Sequence, residues 1–457
     1  MSSHVLPSDQ AYPRPAYGWY VVGVLLAANL SCYVARMVMI LLIQPVSHAL
    51  LLSDTKVSLL QGAAFSIFFT TFGFPFGWLV DRRGRRNVLL AGVLVWSIMV
   101  LFCGLSRTFT ELFLARVGVG VGEAALIPAA LSLISDCVQP HQRGRAVSTF
   151  YAGALIGTGI ATTGGGIILR SLGGTVTWPL VGMLSSWQAL FCLAAVPGLL
   201  VAALLLTVRE PPRHGTATAS AAAAMVPHIG IVSFLRTKWR TTLPVYLTLV
   251  LNQFIAYAVT GWIIPLFARR NYMSTADAGA IYGLAVVGIG FIAAAYVGHV
   301  GDRLAQSQRV GGRMRLIIHS YVLFVPAILL LTLSHTATVA VAGLLLEVFS
   351  VCISAAAMYT LIQDIAPNRL RGQAVAILAI FVTLIGATLG PTVVALVTDY
   401  VLRDPAKVGI SILVTTIPGV IAGLAAALMG LTNYSAACEE ISGPPKIAAT
   451  SALSAAG

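Results

Sequence analysis

The sequence predicts an all-helical membrane protein of twelve spans, arranged as two pseudo-symmetric six-helix bundles, and three observations predict it. Lys and Arg number 28 and Asp and Glu 15, so only 9% of the 457 residues are charged, against 58% hydrophobic and a mean hydropathy of +0.89. An ordinary soluble domain carries roughly 25% charge. This chain cannot clothe a water-facing surface, so a soluble enzyme is excluded, and intrinsic disorder, which needs low hydrophobicity, is excluded with it. Second, stretches long enough to cross a bilayer core, about 20 apolar residues each, recur twelve times. Third, two motifs of the first half return in the second at nearly half the chain length.

Residues 1–17 read as a polar cytoplasmic tail: MSSHVLPSDQAYPRPAY carries acid and proline but no basic n-region, unlike a cleaved signal peptide. The first bundle, 18–208, holds apolar spans at 18–46 (with Arg36), 57–80, 87–106, 112–135 (with Arg116 and Glu123) and 146–169. The stretch 171–208 reads as a helix end, a Gly/Pro turn and the sixth helix. A linker, 209–240, runs from REPPRH through an Ala/Ser/Thr run to Arg236, Lys238 and Arg240. The second bundle, 241–432, holds spans at 241–268, 278–298, 316–334, 336–363 (with Glu347), 374–398 and 408–438, and 433–457 is the C-terminal tail.

With both termini in the cytoplasm, inner segments carry 19 Lys and Arg and outer segments 7. That asymmetry orients the chain by the positive-inside rule. It also accounts for the net charge of +13 without a nucleic-acid partner. The six cysteines stand singly, with no CxxC pair, and read as reduced apolar fillers. No P-loop, metal cluster or nucleophile triad is present, so the sequence offers no cofactor site, no ATP-driven step and no enzyme chemistry.

The repeats lie in the short loops. GWLVDRRGRR (77–86) is echoed by GHVGDR (298–303), with Gly77 and Asp81 matched by Gly298 and Asp302 at an offset of 221. DCVQPHQRGRA (136–146) is echoed by DIAPNRLRGQA (364–374) at an offset of 228. In the first loop, Asp81 with Arg82, Arg85 and Arg86 sets fixed charges beside helix ends, Gly77 permits close packing and Gly84 a tight turn. Asp302 with Arg303, Asp136 with Arg143, and Asp364 with Arg371 are expected to act similarly. Topology alone explains the arginines but not the repeated aspartates.

Ionisable groups inside the hydrocarbon are costly and call for a partner or a wet cavity. Asn29, Tyr33 and Arg36 fall at i, i+4, i+7 on one face of the first helix, and Arg116, Gly120 and Glu123 share that spacing on the fourth. Glu123 is the acid expected to pair with Arg36. If substrate draws Arg36 away, a carboxylate left without its counter-charge takes up a proton. The competing readings are a structural clamp for Arg36 and a permanent ion pair for Glu123. In the second half Glu347, Ser350 and Ser354 form a stripe on the tenth helix, while Asn252, Gln253 and Tyr257 stand on the seventh. The amides can equally serve as bonds between neighbouring helices. Arg36, Glu123 and Glu347 are expected to line a wet passage between the bundles. Gly386, Gly390 and Pro391 predict a kink in the eleventh helix, and the glycines between 153 and 166 predict one in the fifth, without proline.

GWLVDRRGRR between the second and third helices resembles the signature loop of the major facilitator superfamily, and GHVGDR lies where that family has its second copy. LARVGVGVGEAALIPAALSLISD (114–136), LSDTKVSLLQG (52–62) and IQDIAPNRLRGQAVAILAIFVTLIGATLGP (362–391) resemble its spinster-type branch. The resemblance implies the major facilitator fold and a secondary transporter working by alternating access, its loop residues latching the outward-open state. It implies a small amphipathic, lysolipid-like substrate with proton coupling, and a monomer in a bacterial inner membrane. The branch has Asp-Arg on helix 1 where this chain has Ala35-Arg36. Helix 5 lacks the Gly-Pro of drug antiporters. An organic-anion carrier, an uncoupled facilitator and a non-translocating membrane sensor are the rival readings.

Overall fold

In the computed structural model, residues 12–178, 182–213, 230–306, 311–367 and 369–442 are described. Within them the chain makes twelve helices long and apolar enough to span a bilayer: α1 Pro15–Leu50, α2 Asp54–Arg82, α3 Arg85–Leu105, α4 Phe109–Cys137, α5 Pro140–Ser171, α6 Ser186–Thr207, α7 Trp239–Arg269, α8 Thr275–Val300, α9 Gly312–Leu333, α10 Ala337–Ile365, α11 Arg371–Leu402 and α12 Pro405–Glu440.

Short polar residues set the boundaries. Pro15 opens α1, where its missing N–H costs nothing. The Ser53 hydroxyl accepts from the Lys56 N–H at the start of α2, and capping boxes at Thr108/Glu111 and Ser185/Gln188 start α4 and α6. Among the described residues, three hold left-handed backbone without being glycine: Leu51, Asn271 and Arg403, which end α1, α7 and α11. The turn expected before α6 is instead a two-stranded hairpin, β1 Thr175–Trp178 against β2 Gly182–Ser185. The β-branched Thr175, Val176 and Thr177 favour an extended strand, a local preference hidden inside an apolar stretch.

Helices α5 and α11 both depart from α geometry. The α5 backbone widens to π at Ile160–Gly164, and α11 does so at Val382–Leu389 and Val397–Leu402. Pro391, lacking a donor, follows directly on the first α11 widening. The α5 widening needs no proline.

Across the boundary between the bundles, α2 packs on α11, α5 on α8, and α1 meets α7. Small residues let the backbones approach. A Cβ on Gly62 would stand 2.7 Å from the Ala387 carbonyl oxygen, and one on Gly166 would stand 2.5 Å from that of Ala276. Polar contacts between the bundles gather at one end. Arg269 grips the Asp54 carboxylate with both terminal nitrogens, at 2.5 and 2.6 Å. The Thr55 amide and hydroxyl both donate to Asp399 Oδ2 at 2.7 Å. Thr163 donates to the Ala280 carbonyl at 3.1 Å, and Arg170 pairs with Asp277. This sealed end lies opposite the α2–α3 loop.

At the loop end, among the described residues, each aspartate of the repeated motif meets an arginine of its own bundle other than the one in its motif. Asp136 pairs with Arg85, not Arg143, which turns to the Val138 carbonyl (3.2 Å) and the Tyr12 hydroxyl (2.8 Å). Asp364 pairs with Arg313 and accepts from the Tyr434 hydroxyl at 2.6 Å, while Arg371 donates to the Ala366 carbonyl at 3.3 Å. At an i+7 spacing the arginine caps its own turn and leaves the aspartate to the neighbouring helix. Glu210 joins Arg85 at 2.8 Å and accepts from the Arg86 amide at 2.8 Å. Arg213 donates to the Val80 and Arg83 carbonyls, so the linker starts clamped to the α2–α3 loop.

Arg82 lies over the Trp78 ring at 4.3 Å, and Asp81 is exposed. A Cβ on Gly77 would meet nothing within 4 Å, so no close packing requires that glycine in this conformation. Gly84 has an ordinary φ of −65°, so its turn makes no demand for glycine either. Arg303 is exposed on the continuation of α8, and the Asp302 side chain lies outside the described set.

Candidate functional site

Close packing of α4 on α2 builds the site. A Cβ on Gly120 would lie 2.5 Å from the Phe65 carbonyl oxygen, so the glycine lets α2 come close to α4. At Gly62 the helical path of α2 is broken, and Phe65 follows in the next turn. Its ring is thereby placed with the Arg36 guanidinium 4.3 Å from the centroid and that of Arg116 at 5.7 Å. Tyr33 and Phe69 also stand near Arg36, at 5.0 and 5.3 Å. Such rings favour a cation at their faces by about 0.5–2 kcal/mol each.

Arg36 donates through Nη2 (2.6 Å) and Nε (3.2 Å) to one oxygen, Oε2, of Glu123. The second oxygen, Oε1, is buried without a hydrogen-bond partner. The Arg36 side chain keeps 18% exposure while that of Glu123 has none. The acid thus sits behind the base. Arg116 is buried and holds the Leu60 carbonyl (3.2 Å) and that of Ala35 (3.5 Å), tying α4 to α2 and α1. Ala35 itself is enclosed in apolar packing, at 1% exposure.

The remaining candidates separate. Asn29 donates to the Phe150 carbonyl at 2.8 Å and fastens α1 to α5. Asn252 is buried against α9, its amide 3.4 Å from Ser320, which bonds in turn to Ser350 of α10. Asn252 is therefore a bond between helices of one bundle, away from Arg36. Gln253 and Tyr257 border α11 beside Gly386, and Gln253 Oε1 has no partner. Tyr33 and Tyr257, from opposite bundles, are within electrostatic reach of each other and of Tyr359, which in turn reaches Tyr151. Tyr151 and Tyr359 are 45% and 40% exposed, so a set of phenols from both bundles borders accessible space. Glu347 is 1% exposed and makes no hydrogen bond or ion pair among the described residues.

The expectation that three ionisable groups line a wet passage fails for the two acids: Glu123 and Glu347 are 0% and 1% exposed, while the Arg36 side chain keeps 18%. Both acids are shut inside protein, because each lies on the helix face turned to a neighbouring helix. Phe65, Phe69, Tyr151 and Tyr359 were not foreseen. Aromatic residues in an apolar span carry no polar signal, and only helix register reveals what they face.

Comparison with known proteins agrees with this architecture. The family profile described as Major Facilitator Superfamily matches residues 24–391. An MFS-type efflux pump of Mycolicibacterium smegmatis is 29% identical over 306 residues, 65% of this chain and 65% of that protein. Protein spinster homolog 1 of Homo sapiens is 30% identical over 204 residues, 44% of this chain and 36% of its own length. The chain therefore spans less than two thirds of these relatives. The crystal structure of a bacterial homologue of the human lysosomal transporter Spinster, inward-facing and unoccupied, superposes with a TM-score of 0.74 at 23% identity. It covers 93% of this chain and 98% of that one, which is a likeness of fold. With twelve spans in two bundles and a family match that runs from α1 into α11, the chain belongs to the Major Facilitator Superfamily.

Proposed function

We propose that the protein is a secondary transporter that moves a small amphipathic molecule, lysolipid-like in shape, by alternating access, with proton movement linked to the Arg36–Glu123 pair. One observation carries the reading: a half-enclosed guanidinium reaches accessible space while its only carboxylate is sealed behind it. A polar head entering beside Tyr33, Phe65 and Phe69 competes for Arg36. Its apolar part lies against the aromatic wall. Once Arg36 swings to the head, Glu123 is an unpaired buried carboxylate, a state that costs several kcal/mol unless it binds a proton. Substrate and proton are then bound by one exchange of partners.

The arginine distribution supports a cytoplasmic loop end and an outer sealed end, in this reading within a bacterial inner membrane with both termini in the cytoplasm. The conformation is then inward-facing. The test is uptake of a fluorescent lysophospholipid into proteoliposomes under an imposed pH gradient. Gradient-driven uptake that Glu123→Gln leaves unchanged removes Glu123 from the mechanism. Displacement of the lysolipid by small carboxylates replaces the lipid-like assignment with an organic-anion carrier. Equilibration without accumulation identifies an uncoupled facilitator, and binding without counterflow a sensor.

A further inference from the structure

The segment that enters the second bundle carries a surface that the exchange at Arg36 does not use. Before α7 the chain forms a short helix, Ile231–Thr237, which ends where Lys238 leaves helical geometry at φ −101° and ψ 28°. Phe234 is buried and borders a small cavity with Thr241 and Thr242 of α7, Ile365 of α10 and Ala437 of α12. The Thr242 hydroxyl donates to the Leu235 carbonyl at 3.4 Å, and Lys238 pairs with Glu440 of α12 at 2.7 Å. The short helix is thereby fastened to the ends of three spans.

What it leaves outside is apolar and cationic. Val232 is 74% exposed, and Trp239, Leu243 and Leu247 are 54%, 56% and 43% exposed. The last three recur at every fourth residue, so they form one apolar stripe of α7 turned away from protein. At 31 residues α7 is about 46 Å long, against a hydrocarbon core of about 30 Å, so its ends reach the headgroups. Trp239 tops the stripe, at the depth where tryptophan collects. The Arg240 guanidinium lies 5.7 Å from the centre of that ring. Arg236 is exposed as well, and neither arginine makes an ion pair among the described residues, while Glu440 is engaged by Lys238. Topology accounts for arginines at this end of a span. It does not account for two unpaired guanidiniums that bracket a tryptophan at the head of a lipid-facing stripe.

We propose that residues 231–240 form a docking surface for an anionic phospholipid of the leaflet at the loop end. Its acyl chains lie along Leu247, Leu243 and Trp239, and its headgroup phosphate accepts hydrogen bonds from Arg236 and Arg240. Charge complementarity selects the lipid. Phosphatidylglycerol brings a net negative charge to two cations that protein leaves unneutralised, and phosphatidylcholine brings none. The linker then begins clamped to the α2–α3 loop through Arg213 and ends held by the second bundle and the membrane together. This surface does its work whatever the substrate is.

The test reconstitutes the full chain in phosphatidylcholine bilayers with rising fractions of a lipid brominated on the upper acyl chain, which quenches nearby tryptophan. Subtracting Trp239→Phe isolates the emission of Trp239 from that of the other six tryptophans. Brominated phosphatidylglycerol should quench Trp239 at a mole fraction about fivefold lower than brominated phosphatidylcholine, the preference expected of one added charge contact. Arg236→Gln combined with Arg240→Gln should abolish that difference, and each change alone should remove part of it. Both side chains are exposed, so these variants should melt with the wild type in detergent; if the double variant melts early, the single ones carry the comparison. Arg83→Gln with Arg145→Gln removes the same charge from the first bundle and should leave the preference intact. Equal quenching by the two lipids in the wild type overturns the proposal, as does a preference that survives loss of Arg236 and Arg240. An equal loss in the Arg83 and Arg145 variant assigns the effect to bulk surface charge and overturns it too.

Discussion

Arg36 and Glu123 are a buried pair in which one side can still reach solvent, and that asymmetry sets what substitution does. Glu123→Ala leaves a guanidinium among rings with no counter-charge and should lower stability by about 3–5 kcal/mol, read as an earlier thermal transition in detergent. Glu123→Gln keeps an amide oxygen for Arg36 and should cost much less, which makes it the cleaner probe of proton linkage. Arg36→Lys keeps the charge but loses the planar group that lies over Phe65 at 4.3 Å while bonding Oε2 twice. It should weaken lysolipid binding about tenfold, roughly 1.4 kcal/mol, in a fluorescence titration. The sequence spacing brought Arg36 and Glu123 to attention because each lies on a polar stripe of an otherwise apolar helix. At Asn252 the structure takes the alternative that the sequence left open, a bond between neighbouring helices, since a polar residue in an apolar span does not say which neighbour it meets.

The helices themselves were legible because hydrophobic length and polar caps are local properties, and so was a departure from regular helix near Pro391. The π turn of α5 was harder to read, because it answers to packing against α8 through Gly279 and Gly283 and not to a proline. Glycine substitutions separate packing from motif. Gly62→Ala would drive a methyl into the Ala387 carbonyl across the bundle boundary, so it should disfavour the closed α2–α11 contact and slow transport. Gly77→Ala meets nothing in this conformation and should leave its thermal transition unchanged. A transport defect in Gly77→Ala with unaltered melting would place its role in the opposite conformation. Equal melting losses in both variants would contradict the contacts described.

Across the whole molecule, the polar lock at the sealed end joins α2 to α7 and α11 through Asp54, Arg269, Thr55 and Asp399. Asp54 and Arg269 side chains are 4% and 11% exposed, so water screens their attraction weakly. Asp54→Asn should open that end. Spin labels at Leu51→Cys and Val401→Cys, both exposed and on opposite bundles, would report longer distances by pulsed electron resonance. The exchanged pair Asp54→Arg with Arg269→Asp should restore the shorter one. Twofold repetition was readable from recurring motifs, since it is written along the chain. Which end is closed depends on a balance between two packings of one sequence, so neither Asp54 nor Arg269 announced itself. The loop-end networks carry a last consequence. Arg85 with Asp136 and Arg313 with Asp364 stand at one common offset of 228, and their third partners, Glu210 and Tyr434, both come from the end of a bundle's sixth span, at the near-equal offset of 224. The two halves thus fasten their loop ends with the same three-point clasp, finished by a carboxylate on the arginine in one and a phenol on the aspartate in the other, so the first clasp carries the extra negative charge.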